Sequence, residues 1–515
     1  MVERLKLSTM KRISIIILGL VVFSANGYSQ NFLDAYRYSA NIYSGTARFT
    51  GMAGSFGALG GDFSTSSVNP AGLGTFRAND FSFTPTFSFN NATSKYLGNS
   101  GTDNRFAFGI GNIGLVTTFR GTGQSDKTSL VNFNFGVGYN KLRDYNSNVY
   151  TTALNTTSSI TDQFAADANA LVQSYGLTSP DMLTIPDPYN SNLDPFVNYG
   201  TGAWPAILAW NSFLVDALTD GSFTSPLLVG EAVYQSNSIS TKGSLGEYTL
   251  SFAGNVSDKF YFGGTIGIQD LYYSKTSEYT EDIVGSSASG FQNLLYRQTL
   301  ETVGSGYNFK LGFIYKPIQR LRVGVAFHTP TFFDLKDSYN SYMSSQFDVG
   351  YADAYSPNGE YDYSLITPYR FIGSVAYLYQ DKLAINVDYE RVNYPSMKLR
   401  DGGDGYSFHV ENNEITQTFN ASNNIRVGAE FHQGALYFRG GYAFYGTPYK
   451  SGYYNDNANT TVIAAGVGLR SSTFYMDFAF NNITSKNESF LYGNQDVVKD
   501  TYKQNQVVFT LGYRF

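Results

Sequence analysis

Cysteine is absent from the 515 residues, which excludes a disulfide framework, a thiolate metal site and a lipoprotein attachment point. Histidine is nearly absent. His328, His409 and His432 are the whole supply, and a hydrolase needs a base within hydrogen-bond reach of its nucleophile. His432 falls in a tight turn, His409 in a polar loop, and His328 has no partner motif, so the chain is not read as an enzyme. No residues stand at metal-ligand spacing, and no cofactor is expected. Past the first thirty residues no stretch has the eighteen apolar residues that a membrane helix needs. Trp 2 and Pro 14 are scarce, whereas Tyr 42, Phe 41 and Gly 52 describe aromatic strands joined by flexible turns.

The opening residues read as an export signal. Lys11 and Arg12 precede an apolar run, Ile13 to Phe23, that is too short to span a bilayer, and small residues follow up to Ser29. Cleavage of residues 1–29 removes four of the 35 basic and one of the 41 acidic residues, leaving 31 against 40 and a formal charge of -9. Nucleic acid is therefore not an expected partner.

From about residue 80 the chain alternates apolar and polar residues in segments joined by a short connection, then a long one. Fourteen such segments are predicted as strands, from Phe81-Phe83-Phe87-Phe89 to Phe509-Leu511-Tyr513-Phe515. The tight connections are Asn255 to Lys259, Pro317 to Arg320, Gln380 to Lys382, His432 to Ala435 and Ser471 to Thr473. Charges of both signs occupy one face only, including Lys310, Arg322, Asp388, Glu390, Arg426, Glu430, Arg439, Arg470, Asp477 and Arg514. A cation at the bilayer midplane costs about 2–4 kcal/mol, so that face must line a lumen. The fold class is thus all-β, a 14-stranded antiparallel transmembrane β-barrel over residues 80–515, with short turns on the periplasmic side and long loops outside. Gly136, Gly138, Gly263, Gly267, Gly324, Gly428, Gly466 and Gly468 face inward and leave room for something within.

Residues 30–79 supply a candidate for that space. Gly45, Gly51, Gly54, Gly57, Gly60 and Gly61, then Ser67-Val68-Asn69-Pro70-Ala71-Gly72, suit a compact, irregular segment in a confined volume. This stretch beside fourteen strands resembles the FadL/TodX family of outer-membrane transporters for long-chain fatty acids and aromatic hydrocarbons. The family's N-terminal hatch carries an Asn-Pro-Ala motif, matched here by Asn69, Pro70 and Ala71. The resemblance implies capture of an apolar ligand by extracellular loops, transfer to a lumen pocket and sideways exit through a gap at an inward kink in an early strand. Gly109, Gly111 and Gly114, or Gly136 and Gly138, would permit the kink; equally, they would simply accommodate the hatch. The terminal strand, Val507 to Phe515, resembles the signal by which barrel-assembly machinery recognises its clients. The expected location is a Gram-negative-type outer membrane, with the bilayer as partner and the chain a monomer.

The rhythm fails between Asp144 and Ser244, read as an extracellular, partly helical insertion. Ser158 and Ser159 precede helical spacing that ends at Gly176, and a second helix is expected from Pro205 to about Leu218. The pair either caps the barrel mouth or forms a greasy groove that collects ligand, with Trp204, Trp210, Phe213 and Leu214 as its candidates; the two readings coexist. Inside, Arg439, Arg426 and Lys310 are candidate contacts for a ligand carboxylate, or else partners for the lumen acids. Arg322, Arg470 and Arg514 are expected to hold the hatch. A rival reading is a PorV-like adaptor in surface protein export, and a third a general porin.

Overall fold

The structure, a computed structural model, describes residues 32–120, 130–177, 179–186, 194–380, 382–493 and 496–515. The expected signal peptide and the first two residues of the expected hatch lie outside the described residues. The described residues form fourteen strands: β1 (Asp80–Tyr96), β2 (Asn99–Arg120), β3 (Leu130–Asp144, continued by Ser147–Asn155), β4 (Val233–Val256), β5 (Phe260–Ile283), β6 (Phe291–Ile318) and β7 (Leu321–His328 and Phe332–Phe347). The second half comprises β8 (Gly350–Tyr355, Gly359–Ile366 and Arg370–Tyr379), β9 (Leu383–Asn393), β10 (Ala421–Gln433), β11 (Leu436–Tyr445), β12 (Thr460–Arg470), β13 (Phe474–Phe490) and β14 (Val497–Arg514). Each pairs antiparallel with its sequence neighbour, and β1 pairs with β14 from Asp80↔Arg514 to Lys95↔Lys499, closing the barrel.

Each of the fourteen alternating segments falls in its own strand, because a barrel crossing lipid must present apolar side chains at every second position. Phe87, Phe108, Phe135, Leu250, Phe309, Val325, Phe371, Val427 and Phe478 are exposed on the outer face, whereas Asn134, Lys310, Asp388, Glu390, Arg426 and Asp477 are buried inside.

Two features depart from expectation. Between Asp144 and Ser244 the strands continue: β3 runs to Asn155, and β4 begins at Val233 and pairs with it from Asn155↔Val233 to Ser147↔Thr241. These extensions carry Ser, Thr and Asn on both faces, since beyond the lipid band both faces can meet water and alternation is no longer imposed. Secondly, the end opposite the tight turns is not uniformly looped. β1 and β2 meet at Leu97-Gly98, and β7 and β8 at Asp348-Val349. The polar residues read as loops there are mostly ladder that rises past the apolar band.

Among the helices of the interior and the loop-side mouth are α1 (Phe32–Ser39), α2 (Ala47–Gly51), α3 (Ile160–Tyr175), α4 (Trp204–Asn211) and α5 (His409–Thr418). In α3 the Ser159 hydroxyl accepts from the Thr161 N–H and the Asp162 carboxylate accepts from the Ser159 N–H, while Gly176 closes the helix at φ 63°. The helix expected from Pro205 to Leu218 is shorter. It ends at Asn211 because Ser212 returns its hydroxyl to the Leu208 carbonyl (2.7 Å) and Phe213 takes a left-handed φ of 57°.

Candidate functional site

The segment before β1 lies inside the barrel. It starts towards the loop end, where Tyr36 of α1 packs on Tyr394, Phe419 and Tyr449 with ring centroids 5.3–5.7 Å apart. It leaves at the turn end, where Asn132 and Asn134 donate side-chain N–H groups to the Phe76 carbonyl (3.0 and 3.2 Å). In between it folds as α2 and two 3-10 turns, Phe63–Ser67 and Pro70–Thr75, each opened by a side-chain cap from Thr46, Asp62 or Asn69. Asn69 serves twice. Its Oδ1 accepts from the Ala71 N–H (3.2 Å) and its Nδ2 donates to the Gly57 carbonyl (2.6 Å), so the Asn-Pro-Ala stretch ties the plug to itself.

The inward glycines are the mould. A Cβ on Gly138 would meet the Phe63 ring, on Gly136 Leu73, on Gly263 the Pro70 carbonyl, on Gly324 Ala58, and on Gly428 Met52. Gly267 and Gly468 instead make room for lumen charges, Glu247 and the Asp477–Arg439 pair. Gly114 shares Phe63 with Gly138, so at these two positions and at Gly136 the lack of a side chain seats the plug.

Three buried charge clusters join plug to wall. In the first, Arg48 grips Glu430 with two bonds (Nε to Oε2 2.8 Å, Nη2 to Oε1 2.7 Å); Glu430 also takes Arg439 (2.7 Å), Arg439 reaches Asp477 (2.7 Å), and Asp477 takes Arg470 (2.7 Å). The second centres on Glu390, which accepts from Arg426 (2.9 Å) and from the Tyr43 hydroxyl of the plug (2.9 Å), beside Asp388, which accepts the Phe56 and Gly57 N–H groups (3.0 and 3.1 Å). In the third, Lys310 pairs with Glu247, which also accepts from the plug's Ser67 hydroxyl (2.6 Å). Arg439, Arg426 and Lys310 are thus each engaged by carboxylates of the wall. Of the three cations expected to hold the hatch, Arg322 does so through the Leu59 carbonyl; Arg470 pairs with Asp477 and Arg514 with Asp80 (3.3 Å), both wall residues. The sequence reading missed the Arg48 clamp. Its one signal is that Arg48 is the only basic residue between Arg37 and Arg77.

A cavity of about 20 Å³ lies among Tyr43, Ser67, Glu247, Lys310, His328 and Arg370. That is room for about one water molecule.

The wall is not continuous. β2 pairs with β3 only from Asn112↔Asn140 to Arg120↔Asn132; over residues 99–111 it pairs with β1 alone, while β3 continues along β4. At the departure point Asn140, Lys141 and Leu142 are consecutively buried, so β3 has turned off the lipid surface into the lumen. The register slips between Lys141 and Arg143, and opposite it Gly111 is the extra residue of a bulge against Thr84 and Pro85. Small residues Ala107 and Gly109 line the β2 margin, with the Lys141 ammonium over Gly109 and 3.3 Å from Asp144. At the upper edge Arg105 bridges to Asn148 (3.1 Å) and Ser240 (2.8 Å).

Over the loop-side mouth, α3 and α4 pack with Tyr279, Phe291, Leu294, Tyr296 and Met343 from the strand tops, and with Tyr492 of the loop after β13, in one apolar cluster. Trp204 and Leu214 are buried in it, Trp210 is partly buried and donates to Thr184 (2.9 Å), and Phe213 is 65% exposed. Only Phe213 among the four capture candidates faces outward. Glu281 fastens the helix to the wall by accepting from the Ile160 N–H (2.9 Å) and the Ser159 hydroxyl.

Burial pushes the Asp167 carboxyl of α3 up to about 6, against a lowering hydrogen bond from Gln163. A carboxyl with a raised folded-state pKa favours the folded form while protonated, so this contribution is present below about pH 4 and lost as pH rises to about 6. Unfolding of the cap, followed by emission of Trp204 and Trp210, is expected to become easier across that window. Asp167→Asn should flatten the dependence.

The fold is shared with solved channels. A FadL homologue of Pseudomonas aeruginosa superposes with a TM-score of 0.53 at 15% identity, over 92% of this chain and 100% of that one. The toluene transporter TodX of P. putida gives 0.51 at 11% identity, over 92% and 99%. This chain has the FadL and TodX fold. No protein-family model and no curated protein matches the sequence. The plug inside the lumen and the interrupted β2–β3 ladder are the features with chemical consequence.

Proposed function

We propose that the chain is an outer-membrane channel for passive uptake of small hydrophobic molecules, with long-chain fatty acids and related hydrocarbons as the two ligand classes. The observation that carries this reading is the pairing of a filled lumen with a break in the wall. A general porin needs an open axial path; a lipophilic solute needs only a route into the bilayer. In the outer membrane the tight turns face the periplasm and the cap faces outward. Ligand entering beneath the cap would displace plug contacts and leave between β2 and β3 past Ala107 and Gly109, moving aside the Lys141 side chain that lies over Gly109.

An adaptor role in protein export is favoured by one observation, the outward Phe213 and the fully exposed Val229 on the cap. Titration of the protein in detergent with oleate, and separately with toluene, separates the two. Transport predicts a change in Trp204 and Trp210 emission and retention of at least one ligand in native mass spectrometry. Absence of both effects with both ligands would leave the adaptor.

A further inference from the structure

The cap has an unusual charge balance. From Tyr145 to Thr241 there are eight acidic residues and no lysine, arginine or histidine, so 33 acidic and all 35 basic residues lie elsewhere. The insertion therefore carries -8, although the whole chain carries only -6. Seven of the eight, Asp162, Asp167, Asp181, Asp194, Asp216, Asp220 and Glu231, are among the described residues, and none of the seven forms an ion pair. Their hydrogen bonds come from neutral donors: Ser159 to Asp162, Gln163 to Asp167, Phe196 to Asp194, Ser222 to Asp220, Leu228 and Ala288 to Glu231. Such bonds leave the net charge in place.

A second, independent observation concerns the lumen. An amphiphile's carboxylate needs a cation that is not already engaged. Arg426, Arg439 and Lys310 are each paired with wall carboxylates, and the space beside Lys310 holds about one water. Arg143 donates to the Ala40 carbonyl (2.9 Å) and lies over the Tyr145 ring; Lys275 has no ion pair. Lys275 stands on β5 between Tyr273, which packs with α1, and Tyr279, which packs under the cap. A ligand coming from the mouth meets the cap first.

We infer that the mouth selects by charge: it admits uncharged and cationic apolar molecules and turns away apolar anions. The inference rests on the transport reading and narrows its ligand class, away from fatty-acid anions and towards hydrocarbons, alcohols and amines. A cleft of one sign concentrates counter-ions and raises their association rates by about 10-fold or more, and opposes co-ions similarly. Screening removes the effect within about 3 Å at 1 M salt but leaves it intact over about 30 Å at 0.01 M.

The test uses one dibrominated eighteen-carbon chain with three head groups, alcohol, amine and carboxylate, because bromine quenches tryptophan on contact and Trp204 and Trp210 both lie in the cap. Full-length protein in zwitterionic nanodiscs at pH 7.5 is mixed with each probe, and quenching rates are corrected by the partition rate into empty nanodiscs. At low salt the alcohol and amine are expected to quench at least about 10-fold faster than the carboxylate, with the gap closing near 1 M. Replacing the exposed carboxylates together, Asp181→Asn, Asp216→Asn and Asp220→Asn, should narrow the low-salt gap. Lys275→Gln should leave the order of the probes unchanged. A carboxylate that quenches as fast as the alcohol at low salt, or whose quenching depends on Lys275, overturns charge selection but leaves transport standing. If none of the three probes quenches above the empty-nanodisc level, transport itself falls and this inference with it.

Discussion

Removal of residues 32–76 should turn a sealed barrel into a conducting one. The plug occupies the lumen from the aromatic cluster around Tyr36 to the Asn132 and Asn134 amides near the turn end. With it present, the cavity beside Lys310 takes about one water. A fourteen-strand wall lies between eight-strand barrels that side chains fill and sixteen-strand porins that hold an aqueous channel, so an emptied lumen should pass ions. In planar bilayers the intact protein is expected to show no steady single-channel current and the deleted form discrete openings. Equal, negligible current in both would mean that the strands seal the axis without help. Because the deletion also strips partners from Glu430, Asp388 and Glu247, a milder variant is informative. Gly138→Leu drives a side chain into the seat of Phe63 and should give intermittent openings in an otherwise folded barrel.

The second large effect concerns the Arg48 clamp. Glu430→Ala leaves two guanidinium groups, Arg48 and Arg439, without their shared carboxylate at a site where all three side chains are at most 11% exposed. Deleting one partner of a buried ion pair costs about 3–5 kcal/mol, since the remaining charge stays desolvated. Chemical unfolding in detergent should show a loss of that order, and hydrogen exchange should rise first at residues 46–52. A double variant, Arg48→Met with Glu430→Gln, is expected to recover part of the loss. Loss of stability without any change in plug exchange would assign Glu430 to the wall alone.

How much of this was readable beforehand follows from which forces leave a periodic trace. Lipid imposes alternation, so all fourteen crossings and the inward side of Lys310, Arg426 and Asp477 were legible. The inward glycines announced a filled lumen because a packed chain segment excludes Cβ atoms wherever backbone approaches backbone. That Arg439, Arg426 and Lys310 pair with lumen acids was one of two readings, but which acid meets which base left no trace. Glu430 and Glu390 sit at equivalent inward positions, and nothing local says that the first meets Arg48 and the second Tyr43. Of the glycines named for a break in the wall, Gly109 and Gly111 stand on its β2 margin, whereas Gly114, Gly136 and Gly138 seat Phe63 and Leu73. β3 turns inward later, in the sequence Asn140-Lys141-Leu142, where no glycine or proline marks it. Above the lipid, where both strand faces can be polar, the extensions of β3 and β4 read as loop.

Those extensions alter what the cell exterior encounters. Proteases and antibodies ordinarily find barrel proteins through long unstructured excursions, which adopt the extended form a cleft requires. Here the tall side, from β4 to β8, offers rigid hydrogen-bonded ribbons instead, with β7 and β8 joined by two residues. Enzymatic shaving of intact cells would find few scissile segments there, and immune recognition would fall on shape rather than on linear stretches of sequence.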